Sequence, residues 1–141
     1  MANLLLILQN LIEFELEQVI AGFVNKTPST QDVSFLNQIE TGFVAFKTKF
    51  IWAHARNLVT EAERDIMEEV RLIRNAQTHV RPEPKRPKYR YRGKQLLTRK
   101  SIQRLFTDVN TIVMRLRAES GNKERWEIIP PGYAKEMGWA P

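Results

Sequence analysis

The chain has 141 residues, no cysteine, two histidines and a formal net charge of +6. That length fits one domain able to bury a core without covalent staples. Without cysteine there is no disulfide framework, no thiolate nucleophile and no thiolate-bound zinc. Two histidines are a thin supply of nitrogen ligands, so no metal and no cofactor is expected.

Charge is divided unevenly: residues 1–80 hold seven Lys/Arg and ten Asp/Glu, whereas residues 81–141 hold fifteen and six. The basic half is the candidate surface for an acidic partner. Charge alone serves RNA, DNA, an acidic protein or an anionic surface equally well.

The first element is a helix expected over about 3–24. Leu4, Leu5, Leu8, Leu11, Ile12, Leu16, Val19, Ile20 and Phe23 recur at helical spacing. The apolar start is not read as a signal peptide or a membrane span, because no basic residue precedes it and no small-residue cleavage site follows. Glu13, Glu15 and Glu17 also interrupt it. We expect a buried helix of a soluble, cytoplasmic domain.

Phe35, Leu36, Ile39, Phe43, Phe46, Phe50 and Ile51 predict a second helix over about 34–57. The stripe reads as core, not as a base-stacking platform. Gly42 is its weak point, costing about 1 kcal/mol relative to Ala in a helix interior. Thr60-Glu61-Ala62-Glu63 is a capping-box sequence that starts a third helix over 61–79. Acidic residues fill its first turns, Arg71, Arg74 and His79 its end, and Ile66, Met67, Val70 and Ile73 its buried stripe.

Residues 80–97, VRPEPKRPKYRYRGKQLL, carry seven Lys/Arg against the single acid Glu83. Prolines 82, 84 and 87 forbid a regular helix, and Tyr89 to Lys94 suits a short strand or hairpin arm. Alternating Tyr and Arg is also the composition of a nucleic-acid contact, with rings on bases and guanidiniums on phosphates. The plainer reading is a solvated loop whose tyrosines pack on the body. A fourth helix over 98–119 points Ile102, Leu105, Phe106, Val109, Ile112, Val113 and Leu116 inward and places Arg99, Lys100, Arg104, Arg115 and Arg117 on other faces, with Gly121 as its stop.

The expected fold is therefore all-α: a helical bundle of four main helices, with a basic Pro-rich loop or short hairpin between the third and fourth. Any β-structure is confined to 86–97. Residues 1–121 form the domain, with 80–97 as an insertion. The tail 122–141 carries Trp126, Ile128, Ile129, Tyr133, Met137 and Trp139, and is expected to pack on the domain or on a partner subunit.

Arg74-Asn75-Ala76-Gln77-Thr78-His79 closes the third helix. Arg74 and His79 are five positions apart and Asn75 and His79 four, so their side chains crowd one helix end. Arginine brings a planar fork of donors suited to phosphate oxygens, and histidine moves protons near neutral pH. Cationic residues also end helices for purely structural reasons, complementing the macrodipole and bonding free carbonyls. Two other sets of titratable residues stand out. His54 reads as a hydrogen-bonded, half-buried residue. Glu13 and Glu17 share a face of the first helix and read as a surface pair or as partners orienting Arg74 or His79.

The RNxxxH string at a helix end, with helical segments before and after it, resembles the HEPN superfamily, whose hallmark is Arg, a polar residue (often Asn), a short spacer and His. The order of segments over roughly residues 4–118 is similar to the mannitol operon repressor-like branch. RNxxxH is the specific part of that resemblance. Some toxin members carry a Tyr two residues beyond the His, where this chain has Arg81, so regulation at that tyrosine is not carried over.

The resemblance implies a helical homodimer with its two motifs facing each other and, in active members, a metal-independent endoribonuclease of a toxin, stress or phage-defence system, with RNA and an acidic antitoxin or regulatory protein as partners. In that role His79 acts as general base on a ribose 2′-OH, Arg74 stabilises charge on the phosphoryl oxygens, and Asn75 orients His79 or contacts the phosphate. Arg81, Lys85, Arg86, Lys88, Tyr89, Arg90, Tyr91, Arg92 and Lys94 hold the RNA strand. The alternative is a non-catalytic HEPN-like regulator, or a helical module that binds nucleic acid or protein.

Overall fold

A computed structural model describes residues 2–78, 90–95 and 99–121. The protein is all-α in class. Its helices are α1 (Ala2–Lys26), α2 (Thr30–Glu40), α3 (Phe46–Ala55), α4 (Glu61–Thr78) and α5 (Arg99–Glu119). A small antiparallel hairpin, β1 (Arg90–Tyr91) and β2 (Lys94–Gln95), stands between α4 and α5. None of the helices is long and apolar enough to cross a membrane, among the described residues.

The apolar residues that set the period of α1 also make it the centre. Leu5, Leu8, Ile12, Leu16, Val19, Ile20 and Val24 are buried, and α1 packs against each of the other four helices. Met67, Val70 and Ile73 of α4 and Leu105, Val109, Ile112, Val113 and Leu116 of α5 complete the core. A helix surrounded in this way can carry charged residues on its buried faces only where they find partners. Glu15 is 1% and Arg117 2% exposed, and Arg117 donates to Glu15 Oε1 from Nε at 3.0 Å and from Nη2 at 2.8 Å. Arg117, expected on an outer face of the last helix, is thus a core residue, because Glu15 awaits it there.

The second expected helix is two helices. α2 starts earlier than its apolar stripe, where Ser29 caps it by accepting from the Asp32 amide at 3.2 Å. It ends at Gly42, which adopts φ +81. The Gly42 amide bonds the Ile39 carbonyl (3.0 Å) and the Phe43 amide the Gln38 carbonyl (3.2 Å), the paired bonds of a Schellman stop. Asn57, at φ 59, ends α3 with the same bond pair, from Asn57 N to His54 O (3.0 Å) and Leu58 N to Ala53 O (2.9 Å). The break changes the phase of the aromatic stripe. Phe46 and Phe50 stay in the core, but Phe43 is 86% exposed, so the expectation that it belongs to the core is corrected. Trp52 of α3 stacks on Phe35 of α2 at 4.7 Å between ring centroids, with the Arg56 guanidinium 3.7 Å from its own centroid.

The capping box forms as its sequence predicts. Thr60 N donates to Glu63 Oε1 (2.8 Å) and Glu63 N to Thr60 Oγ1 (3.1 Å). Arg115 of α5 adds a bond to Glu63 (Nη2 to Oε1, 2.8 Å) and one to the Leu58 carbonyl (3.0 Å), fastening α5 to the start of α4.

Removing one partner of the Glu15–Arg117 pair strands the other in the core. Arg117→Met should destabilise the protein by about 3–5 kcal/mol, whereas Glu15→Leu combined with Arg117→Met should recover most of that loss. Urea denaturation followed by circular dichroism reads both. A double variant as unstable as the single one would show that the surrounding packing, and not the stranded charge, sets the cost.

Candidate functional site

The last turns of α4 carry the described half of the motif. Arg74 and Asn75 are half-buried and line a cavity of about 280 Å³. The opposite walls are Gln9 and Glu13 of α1 and the segment Val44 to Lys47, which leads from the α2 stop into α3. Helix α1 does lie against α4, so Glu13 shares a cavity with Arg74. Arg74 is also engaged in an interaction within the chain. His79 lies outside the described residues.

Charges around the cavity are arranged in two groups. Glu68 accepts from Arg71 Nε (2.8 Å) and Nη2 (2.7 Å), with Lys47 Nζ further off at 3.8 Å. The Arg71 hydrogen bonds hold the Glu68 carboxyl below the ordinary carboxylate range, and the same bonds raise Arg71. In the second group, Lys49 of α3 is only 5% exposed and donates to Glu13 Oε2 (2.7 Å) and Glu17 Oε1 (2.6 Å). Burial pulls the Lys49 ammonium down. The two carboxylates outweigh it, and the net shift is upward. Glu13 and Glu17 are therefore a clamp on a buried lysine.

Of the residues assigned to RNA contact, Arg81, Lys85, Arg86, Lys88 and Tyr89 lie outside the described residues. Arg90 and Lys94 sit on the paired strands of the hairpin. Arg92 occupies its exposed turn at φ 54, followed by Gly93 at φ 80, the two left-handed positions of a tight hairpin. Tyr91 corrects the expectation made for it. It is 1% exposed, with its hydroxyl donating to Asp108 Oδ2 at 2.6 Å, so it offers no face to a base. Burial first, and the Asp108 contact second, push its hydroxyl pKa far up. The Arg92 amide donates to Glu69 Oε1 at 3.2 Å, so the hairpin bridges α4 and α5.

His54 is half-buried with Nδ1 3.3 Å from Arg64 Nη1. A guanidinium can only donate, so Nδ1 is the acceptor there. Gln9, Lys47 and Lys49 did not stand out in the sequence. Gln9 interrupts the apolar face of α1, which was the one available signal. The two lysines lie in a run whose dominant signal is its aromatic stripe.

No protein-family model, curated protein or solved structure matches the chain.

Two outcomes test this geometry. Because the Lys49 pKa is raised in the folded state, its contribution is fully present below the ordinary lysine pKa and is lost as pH rises through the folded value. Wild type should therefore lose more stability than Lys49→Met between neutral pH and strongly alkaline pH, as read by thermal unfolding. Tyr91→Phe leaves Asp108 without its donor and should cost about 1–3 kcal/mol. Urea denaturation followed by circular dichroism reads that loss.

Proposed function

We propose that the chain is a metal-independent endoribonuclease of HEPN type that acts as a symmetric homodimer, with the motif-bearing ends of α4 near the two-fold axis. The observation that carries this reading is the placement of Arg74 and Asn75 together at the end of α4, on the wall of a cavity, with the basic segment next in the chain. The supporting chemistry uses three residue types. His79 takes the proton of a ribose 2′-OH, whose oxygen attacks the adjacent phosphorus. The bond from phosphorus to the 5′-oxygen breaks, that oxygen takes up a proton, and the products are a 2′,3′-cyclic phosphate and a 5′-OH. Arg74 stabilises the charge on the phosphoryl oxygens and Asn75 orients His79 or the phosphate. DNA, lacking the nucleophile, is not cut.

A non-catalytic regulator is the second reading, favoured by the interaction that already engages Arg74 within the chain. Incubating the purified protein with labelled single-stranded RNA in EDTA separates the two. Arg74→Ala and His79→Ala should each lower cleavage by about 10²–10⁴, the range expected for losing an acid/base group. Charge reversal at Arg90 and Arg92 should weaken binding and flatten its salt dependence while cleavage of bound RNA persists. Wild type as inert as both variants over varied RNAs would overturn the nuclease reading in favour of the regulator, and equal cleavage by all three would mark a contaminant.

A further inference from the structure

Helix α1 carries a second apolar strip besides the one it buries. Leu4, Ile7, Leu11 and Phe14 follow one another at spacings of three and four, so they share one face of the helix. Leu4 and Leu11 are half-buried at the edge of the core, whereas Ile7 is 54% and Phe14 51% exposed. Single apolar side chains at a surface need no account, but a grouped strip marks a contact. The strip is not the side of α1 that meets the candidate site, where Gln9, Glu13 and Glu17 face α3 and α4.

The order of the helices decides what lies near it. Lys49 meets Glu13 and Glu17, and Trp52 meets Phe23 at 6.0 Å between ring centroids, so α3 runs parallel to α1. Arg64 stands at His54 and Glu68 at Lys47, so α4 runs antiparallel to α3. Arg115 stands at Glu63, and Asp108 joins Glu69 through Tyr91 and Arg92, so α5 runs antiparallel to α4. It follows that α5 is parallel to α1, in the register set by Arg117 on Glu15. Gly121 lies four residues beyond Arg117, about 6 Å along the axis, which puts it beside α1 just past Phe14. It adopts φ +77 and its amide bonds the Ala118 carbonyl at 3.2 Å, a left-handed stop that turns the chain off the helix at that point.

Two of the three candidate occupants fit the strip poorly. A lipid surface is met by apolar side chains flanked by cations, and α1 has no Lys or Arg before Lys26. A second copy needs about 800 Å² on each side for a stable dimer, and four side chains on a strip of roughly 15 Å fall well short of that. We propose that the chain's own tail, residues 122–141, returns along α1 and covers this strip, with Trp126 and Ile128 on Phe14 and Leu11. The tail lies outside the described residues, and it carries Trp126, Ile128, Ile129, Tyr133, Met137 and Trp139. Trp126 follows Gly121 by five residues, a reach of about 17 Å, which is enough to arrive at Phe14. Pro130 and Pro131 stop a helix and favour extended backbone at Ile129, and on an extended segment Trp126 and Ile128 face the same way. Because tail and strip share one chain, they meet at an effective concentration on the order of millimolar, ahead of any second copy. The inference stands apart from the ribonuclease reading.

The chain has no cysteine, so one nitroxide label can be placed through Asn10→Cys, an exposed position between Ile7 and Phe14 on the same face. The NMR spectrum of the full chain carries three indole N–H signals, from Trp52, Trp126 and Trp139. The Trp126 signal should lose most of its intensity to the label and regain it on reduction with ascorbate. Trp52, held against Phe23 about 20 Å further along α1, is the internal control and should keep its signal. Phe14→Asp, at a half-exposed position that leaves the helix intact, should restore the Trp126 signal while circular dichroism stays that of wild type. A mixture of label-free, isotope-enriched chain with labelled, unenriched chain reads contacts between copies, and Trp126 should stay sharp in it. Broadening in the mixture as strong as within the labelled chain would give the strip to a second copy and overturn the proposal. A Trp126 signal that the label does not touch would overturn it as well. So would full broadening retained in Phe14→Asp, because the tail would then pass near α1 without resting on the strip.

Discussion

The ion pair between Glu15 and Arg117 fixes the rotation of α1, and much else follows from that rotation. Both residues are buried, so neither has an alternative partner in water, and turning α1 by one residue would leave a bare charge in the core. With Glu15 committed to α5, positions 9, 13 and 17 fall in a row at four-residue spacing on another strip of the helix. That strip is where Glu13 and Glu17 hold Lys49 and where Gln9 meets the cavity. A single buried pair thus aligns the clamp with the candidate site. The pair need not add stability to do this, since apolar residues of equal volume would serve the core as well. Its effect is on which face of α1 meets which neighbour.

The second constraint is the pair of left-handed stops at Gly42 and Asn57. Each ends a helix with two hydrogen bonds and lets the chain reverse within a few residues. The first stop leaves Val44 and Ala45 to form a cavity wall in place of a continuous helix that would fill the space. The second lets α4 begin again at the capping box, with Arg115 tying that start to α5. The cavity is therefore a by-product of a broken helix, and Gly42 is the residue on which its shape depends.

Most of the fold was legible in the sequence. The apolar period gave α1, α4 and α5, and Thr60 to Glu63 gave the cap, because these are local signals that tertiary packing reinforces. The break in the second helix was less legible. Gly42 signalled a cost, but the aromatic residues on either side happen to keep helical spacing across it, so the period alone joined α2 to α3. Burial of charge was not legible at all. Glu15, Lys49 and Arg117 look like solvated residues until the partner helix is known, since each is stable inside only through a residue 32 to 102 positions away. Tyr91 shows the same limit in reverse. A Tyr/Arg alternation describes a hairpin equally well whether its ring meets a base or Asp108, and only the position of α5 decides.

The arrangement of cations at the cavity also has an order. Arg71 is fixed to Glu68 by two short bonds, and its pKa and that of Glu68 move apart as expected of a tight pair. Lys47 shares the same carboxylate at longer range and is half-exposed, so its ion pair is worth little in water. Arg71, by contrast, is held on the α4 surface by two short bonds to a carboxylate one turn away, and so presents a fixed side chain to the cavity where Lys47 presents a loosely held one.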